Sequence, residues 1–346
     1  MALNTCIEIN GKKIGNGHSP YIIAEMACAH NGDFDQAKQL IDAAIAAKAD
    51  AVQLQFFVPE STVTPHHEAF SVLKKIAFSK EEWKSLFDYG KKQGIDVWVC
   101  TYDMPSVEWA KEFGADGIKL NSADLSNPEV LSAVASSGIP FTMGTGASRI
   151  EEVRSGIEFA QKSGTQNIVL MHGVQNFPTQ IESLNIGRLK LLKKEFPDVP
   201  CGYADHTDAK DPFSRVVDLI AIGLEANLIE KHITLDRTQE GIDFQAALEP
   251  SEFSEFVVRI RTGFIAFGSQ IETDFTQSDL KYRKFQKKSV VAARELLVGM
   301  NIRREDVTFL RNDVPGLAPS AFKSLEGKTL NRNIKKFQNI TTSDVN

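Results

Sequence analysis

Two histidines carry the strongest chemical signal in this chain of 346 residues. His206 stands in Gly202-Tyr203-Ala204-Asp205-His206-Thr207, and His232 in Leu228-Ile229-Glu230-Lys231-His232-Ile233-Thr234. Both fall near the ends of consecutive strand-like runs, with a helix-sized segment between them. In a parallel barrel that spacing brings both imidazoles to the C-terminal mouth, side by side. Two neutral imidazoles can hold one divalent metal and leave positions open for water and a substrate oxygen, as catalytic metal sites require. Asp205 and Glu230 flank them and are read as orienting the rings from a second layer. A structural hydrogen bond is the alternative for each of these residues. His172 closes another strand-like run and is a weaker candidate for the same mouth. His66 and His67 lie in a Pro-bounded loop and read, like His18, as uninformative.

Other polar residues gather at corresponding places. Glu25 ends the apolar run Ile22-Ile23-Ala24, where a carboxylate is costly unless paired or placed at a mouth. It is either a buried partner for a Lys or backbone donor, or a group that moves protons or binds a substrate hydroxyl. Lys119, between Ile118 and Leu120, needs an anion from the protein or from a ligand. Gln53, Gln55, Thr101, Ser122, Asp124, Thr145, Gln175 and Asn176 also fall at run ends. Gly144-Thr145-Gly146 would let backbone approach a ligand closely, although turn geometry explains it equally well. Asp243, in Gly241-Ile242-Asp243, is a candidate base or hydroxyl acceptor, or an ordinary loop carboxylate.

The elements that must position these residues follow a repeating rhythm. Strand-like runs occur at Ile22–Ala27, Ala51–Phe57, Val97–Tyr102, Gly117–Ser122, Pro140–Gly146, Asn167–His172 and the two histidine-bearing segments. Helical patterns separate them: Ala37, Leu40, Ile41 and Ala44 repeat at helix spacing. Ser79 and Glu82 form a capping box, and Asn127-Pro128 places Pro at a first helical position. Eight strands alternating with helices over roughly 250 residues predict a (β/α)8 (TIM) barrel across residues 1–268, closed by a helix near 251–267. An open doubly wound sheet would usually show a Gly-rich dinucleotide turn, and none is present. Residues 269–286 are polar and read as a linker. Residues 287–346 hold short apolar runs among turn residues, which predicts a small β-rich domain near the lower size limit for an independent core.

Bulk properties narrow the function classes. A net charge of −6 and a pI near 5.7 disfavour nucleic acid and anionic membrane surfaces as partners. No window reaches about 18 apolar residues, so no membrane span is expected. Nor does the N-terminus read as a signal peptide. Cys28, Cys100 and Cys201 fall in or near apolar runs and read as small buried thiols, which fits a reducing cytoplasm.

The segments Ile22-Ile23-Ala24-Glu25 with Ala29-His30-Asn31-Gly32, then Gly202–Thr207, then Glu230-Lys231-His232, resemble the sialic acid synthase family. The region from Ser289 to Asp344 resembles that family's antifreeze-like (SAF) domain, so the likeness covers nearly the whole chain in order. It implies an enzyme that condenses phosphoenolpyruvate with an N-acylated aldose, typically a mannosamine derivative, to give a nonulosonic acid and phosphate. It also implies a divalent metal, manganese first with magnesium or cobalt as alternatives, and a homodimer in which the SAF domain of one subunit caps the barrel of the other. By resemblance, His206 and His232 would be the metal ligands. Glu25 and Asp243 would act near the sugar and the metal's water. Lys119, Thr101 and Ser122 would hold phosphoenolpyruvate. Gln55 and Asp124 would touch the sugar, and Arg311 would be the SAF-domain arginine that reaches the acyl group.

The chain departs from the family pattern where Gln53 replaces Lys, Gly144 and Ala204 replace Ser, Gln175 replaces Asn and Phe177 replaces Tyr. All but Phe177 of these would line the phosphate side, and losing a cation and two hydroxyls weakens a grip on a trianion. Lys231 is not expected to substitute, because adjacent strand residues point opposite ways. The alternatives are a metal-dependent aldolase or lyase acting on another keto acid or sugar, and a non-catalytic sugar-binding protein.

Overall fold

Parallel strands whose outer residues are apolar and whose inner residues turn polar toward their C-terminal ends dominate the molecule. A computed structural model describes residues 3–268 and 273–346. The chain divides into two compact units, residues 1–268 and 269–346.

The first unit opens with an antiparallel hairpin, β1 (Cys6–Ile9) and β2 (Lys12–Gly15). Asn10 and Gly11 both have positive φ, 48° and 80°, as a two-residue hairpin turn demands. The eight barrel strands are β3 (Tyr21–Glu25), β4 (Ala51–Phe56), β5 (Asp96–Thr101), β6 (Gly117–Leu120), β7 (Phe141–Gly144), β8 (Ile168–His172), β9 (Cys201–Asp205) and β10 (Leu228–His232). All pair in parallel in chain order, and β10 closes the ring against β3, with His232 opposite Glu25. The expected (β/α)8 barrel is therefore what forms.

The helices are α1 (Phe34–Ala46), α2 (Pro59–Thr62), α3 (Phe70–Ile76), α4 (Lys80–Gln93), α5 (Met104–Phe113), α6 (Pro128–Ala135), α7 (Ile150–Lys162), α8 (Arg188–Glu195), α9 (Val217–Gly223) and α10 (Pro250–Phe267). The Ser79–Glu82 capping box opens α4, and Asn127 caps α6 with Pro128 in its first turn. Two cores result. Outer strand residues such as Ile22, Val99, Leu170 and Tyr203 pack on the helices. Inner residues Ile23, Trp98, Val169, Met171 and Leu228 fill the lower barrel, which Ile7, Ile9 and Ile14 of the hairpin plug. Trp98 spans this floor only because Gly117 is bare; a Cβ there would collide with the indole.

In the second unit, α11 (Gln277–Phe285) precedes β11 (Ser289–Ala292), which pairs antiparallel with β12 (Val307–Leu310). Isolated bridges complete a small core around Val290, Leu296, Ile302, Leu325, Leu330 and Ile340. The segment 269–286, read as linker, lies partly outside the described residues; from Gln277 it is helical. The Thr276 and Asp279 side chains cap each other's backbone there, so this helix starts on its cap without an apolar stripe.

Candidate active site

Alternation along the strands puts Glu25, Gln53, Lys119, Glu230 and His232 inside the barrel, toward its C-terminal end, and the strands close enough to connect them. Lys119 Nζ lies 2.5 Å from Glu230 Oε1 and 3.2 Å from Glu25 Oε2. Gln53 Nε2 donates to Glu25 Oε2 and, at 3.3 Å, to Glu230 Oε2. The Gln53 Oε1 atom is buried without a partner among the described residues. Glu25 also accepts from the backbone N–H of Ala27 at 2.7 Å. Two carboxylates thus face one ammonium and one neutral amide. Burial pushes the Glu25 carboxyl above its usual range, with Lys119 opposing and Glu230 adding to the rise. Burial pulls the Lys119 ammonium down, yet the Glu230 and Glu25 charges hold it well above its ordinary value.

The two imidazoles stand beside this cluster with ring centroids 5.1 Å apart. Potential ligand atoms of His206, Glu230 and His232 all lie within 4.8 Å of one another. Burial pulls both rings below the ordinary histidine range, and His232 is lowered further by His206 and Lys119. They are therefore neutral donors at pH 7. His206 Nδ1 is 2.6 Å from the carbonyl of Val174, which fixes the tautomer and leaves Nε2 as the ligand atom. Two neutral imidazoles, a carboxylate and an uncompensated negative charge make a donor set that fits a divalent cation.

The NeuB family profile matches residues 40–272 and the SAF domain profile residues 287–346. The chain belongs to the NeuB family. The N,N'-diacetyllegionaminic acid synthase of Legionella pneumophila is 30% identical to it, covering 94% of this chain and 95% of the relative. The N-acetylneuraminate-9-phosphate synthase of Mus musculus is 28% identical, over 92% and 90% of the two chains. A crystal structure of the sialic acid synthetase of Leptospira borgpetersenii, in complex with citrate, superposes with a TM-score of 0.75 at 28% identity, over 82% of this chain and 97% of that one. The chain is thus an enzyme, a transferase of the nonulosonic acid synthase type, built as a barrel followed by an SAF domain.

Against this NeuB framework two sequence expectations need correction. Asp205 does not orient an imidazole. As a neighbour of His206 in an extended strand it points outward, where it accepts from Lys231, from Tyr203 at 3.0 Å and from Thr207 at 2.6 Å. Nor does Glu230 sit in a second layer. It is two residues from His232, on the same face, and stands within ligand range of both rings. The spacing Glu-x-His in a strand was the available signal. Lys231 faces outward as expected, bonded to Asp205 and, at 3.1 Å, to Asp218.

The remaining candidates are scattered around the mouth. Ser122 follows β6, and its hydroxyl accepts from Gly146 N–H at 3.1 Å. It occupies the space above Gly144, where a Cβ would come within 2.5 Å of Ser122 Oγ and 2.8 Å of Ser122 N. A serine at 144 therefore does not fit this backbone unchanged. Thr145 donates to the Met171 carbonyl at 3.0 Å, and Thr101 to that of Lys119 at 3.4 Å. Gln55 reaches Cys28 Sγ at 3.4 Å, and Gln175 is exposed. Phe177 packs on both imidazoles, with centroids 4.3 Å from His206 and 5.5 Å from His232. Asp124 accepts from Asn127 at 2.8 Å in its own turn. Asp243 has φ 61°, and burial pushes its carboxyl up to about 6 against the pull of Lys119. Arg311 is an exposed residue of the second unit. His172 shares the outer face of β8 with Ile168 and Leu170, beside Tyr203. Tyr102 was missed by the sequence reading. Its hydroxyl accepts from Asn121 at 3.1 Å, and burial raises it well above the ordinary phenol range.

Proposed function

We propose that the protein condenses phosphoenolpyruvate with the open-chain form of an N-acylated aldose, giving a nonulosonic acid and phosphate. The observation that carries this reading is the Glu25–Lys119–Glu230 cluster beside His206 and His232, at the barrel mouth of a NeuB-family chain. In the reaction, carbon 3 of phosphoenolpyruvate bonds to the aldehyde carbon, and the aldehyde oxygen takes up a proton. Water adds at carbon 2 and loses a proton; phosphate then leaves with the carbon–oxygen bonding pair and takes up the remaining hydroxyl proton, as carbon 2 becomes the keto group.

His206, Glu230 and His232 would hold a divalent metal, manganese first and magnesium or cobalt otherwise, which supplies Lewis acidity toward an aldehyde oxygen. Lys119 offers its ammonium to the carboxylate or phosphate of phosphoenolpyruvate, exchanging a carboxylate partner for the substrate anion. Glu25, with its carboxyl raised above the usual range by burial, is suited to carrying a proton. Asp243, held near 6, suits the same work on a sugar hydroxyl or the attacking water. Gln53, Ser122, Thr101, Thr145 and Gln175 contribute neutral contacts to phosphoenolpyruvate, while Gln55 and Asp124 face the sugar. Phe177 walls the imidazoles. A swapped homodimer, with Arg311 of one chain reaching the acyl group bound by its partner, and action in the cytoplasm complete the reading. Among the described residues no helix is long and apolar enough to cross a membrane.

The test is phosphate release on mixing phosphoenolpyruvate, manganese and a panel of aldoses. The names of the relatives put N-acetylmannosamine, its 6-phosphate and 6-deoxy diacetamido sugars in that panel. No release with any of them, from protein that carries its metal, overturns the proposal.

A further inference from the structure

We infer that the loops following β7 and β8 form a second anion pocket, separate from Lys119, that grips a phosphoryl group. The inference rests on the condensation reading for its place in turnover, but its evidence is local. A cavity of about 420 Å³ opens between these loops, lined by Thr145, Ser148, Arg149, His172, Gln175 and Arg188 among others. No Asp or Glu is among its lining residues. Two guanidiniums without a carboxylate make a pocket for an anion, and the fork of a guanidinium matches phosphoryl oxygens. Inside the barrel the situation is the reverse: Lys119 already serves two carboxylates.

A second observation points to a ligand. His172 is 3% exposed and lines the cavity. Its Nε2 lies 3.0 Å from the carbonyl of Leu184, so Nε2 carries the proton. Its Nδ1 is left buried with no partner among the described residues. A singly protonated phosphoryl group offers acceptor oxygens to the arginines and one O–H to that nitrogen. Arg188 also ties the two loops together, donating to the Ser148 carbonyl at 2.5 Å. The pocket shares a wall with the imidazole cluster, because Val174, which lines it, presents its carbonyl to His206. The chain thus places its spare cations beside, and not within, the ring of barrel-lining residues where Gln53 is neutral.

Orthophosphate titrated calorimetrically into the full-length protein, with and without manganese, tests this. Saturable binding is expected, with Arg149→Gln and Arg188→Gln each weakening it about tenfold, the factor one charge-assisted hydrogen bond supplies. Arg188→Lys should lose less than Arg188→Gln. Thermal melts identify a variant that fails to fold, and exposed Arg149 gives an arm independent of the Arg188–Ser148 tie. Unchanged orthophosphate affinity in both folded glutamine variants, or no saturable binding by the parent, overturns the inference. Titrating phosphoenolpyruvate and an aldose 6-phosphate into the same variants distinguishes the source, since the affinity loss follows whichever phosphoryl group the pocket takes. The two proposals fail separately. Turnover by the parent with unaltered phosphate affinity in the variants removes this pocket alone. Lost phosphate affinity in the variants with no turnover of any aldose by the parent removes the condensation reading alone.

Discussion

Two buried lysines in this barrel each face two carboxylates, one on either side of the same sheet. Lys119 meets Glu25 and Glu230 in the lumen, while Lys231 meets Asp205 and Asp218 between β9, β10 and α9. Their charge sets are identical, and their surroundings are not. Lys119 is 15% exposed and borders two neutral imidazoles, whereas Lys231 is 1% exposed and lies against Phe256. The inner cluster can trade partners with a ligand. The outer one has nowhere to open, and its extra carboxylate has to be neutralised by a proton. Burial accordingly pushes Asp218 up to about 7, although Lys231 opposes the shift, and its Oδ1 has no partner among the described residues. A buried ion cluster is therefore not in itself a sign of function; access and neighbours decide.

The largest expected effect would break the inner side alone. His232→Ala should lower phosphate release by on the order of a thousandfold, since the proposed function makes it a ligand of the Lewis acid. The loss should appear equally as a drop in bound manganese by elemental analysis. A variant that keeps both metal and rate would end the functional contrast.

Next, the two lysines should separate stability from activity. Lys231→Met leaves two buried carboxylates without a cation and should cost about 3–5 kcal/mol in denaturant unfolding. Lys119→Met should cost less, because water reaches that cluster, yet abolish turnover in protein that remains folded. Equal stability losses in the two variants would mean that the clusters are not different in kind.

The proton on the outer cluster gives a signed pH dependence. The Asp218 carboxyl is raised in the folded state above its ordinary value of 3.8. Its contribution to stability is fully present below about pH 4 and is lost as pH rises through about 7. Stability should fall by up to about 1.4 kcal/mol per pH unit across that interval. Asp218→Asn should flatten the slope, and an unchanged profile would place the proton elsewhere.

The smallest effect sharpens the inner side. Gln53→Lys would supply a second cation to Glu25 and Glu230. It should tighten phosphoenolpyruvate about tenfold and weaken manganese by a similar factor, the worth of one charge-assisted hydrogen bond in each case. Calorimetry of the two ligands checks both signs.

Much of this was legible in the chain. The alternation of apolar runs and helix-spaced segments determined the barrel, because a strand with apolar outer residues must be covered by a helix. The N-terminal hairpin was not foreseen, because its four-residue strands are too short to show a period. Period two in β10 was enough to place Glu230 with His232 and Lys231 away from both. What one dimension could not supply was the closure of the ring. Only closure sets Glu25, from β3, against Glu230, 205 residues later in the chain, and puts Lys119 between them. Closure also seats Ser122 in the space that a side chain at Gly144 would need, so the exchange at 144 reads as a loss in the sequence and as a steric requirement in the fold. Sequence determines which face of a strand a residue takes, because the backbone alternates locally. Which charges meet across the lumen depends on shear and strand count, which are properties of the whole sheet.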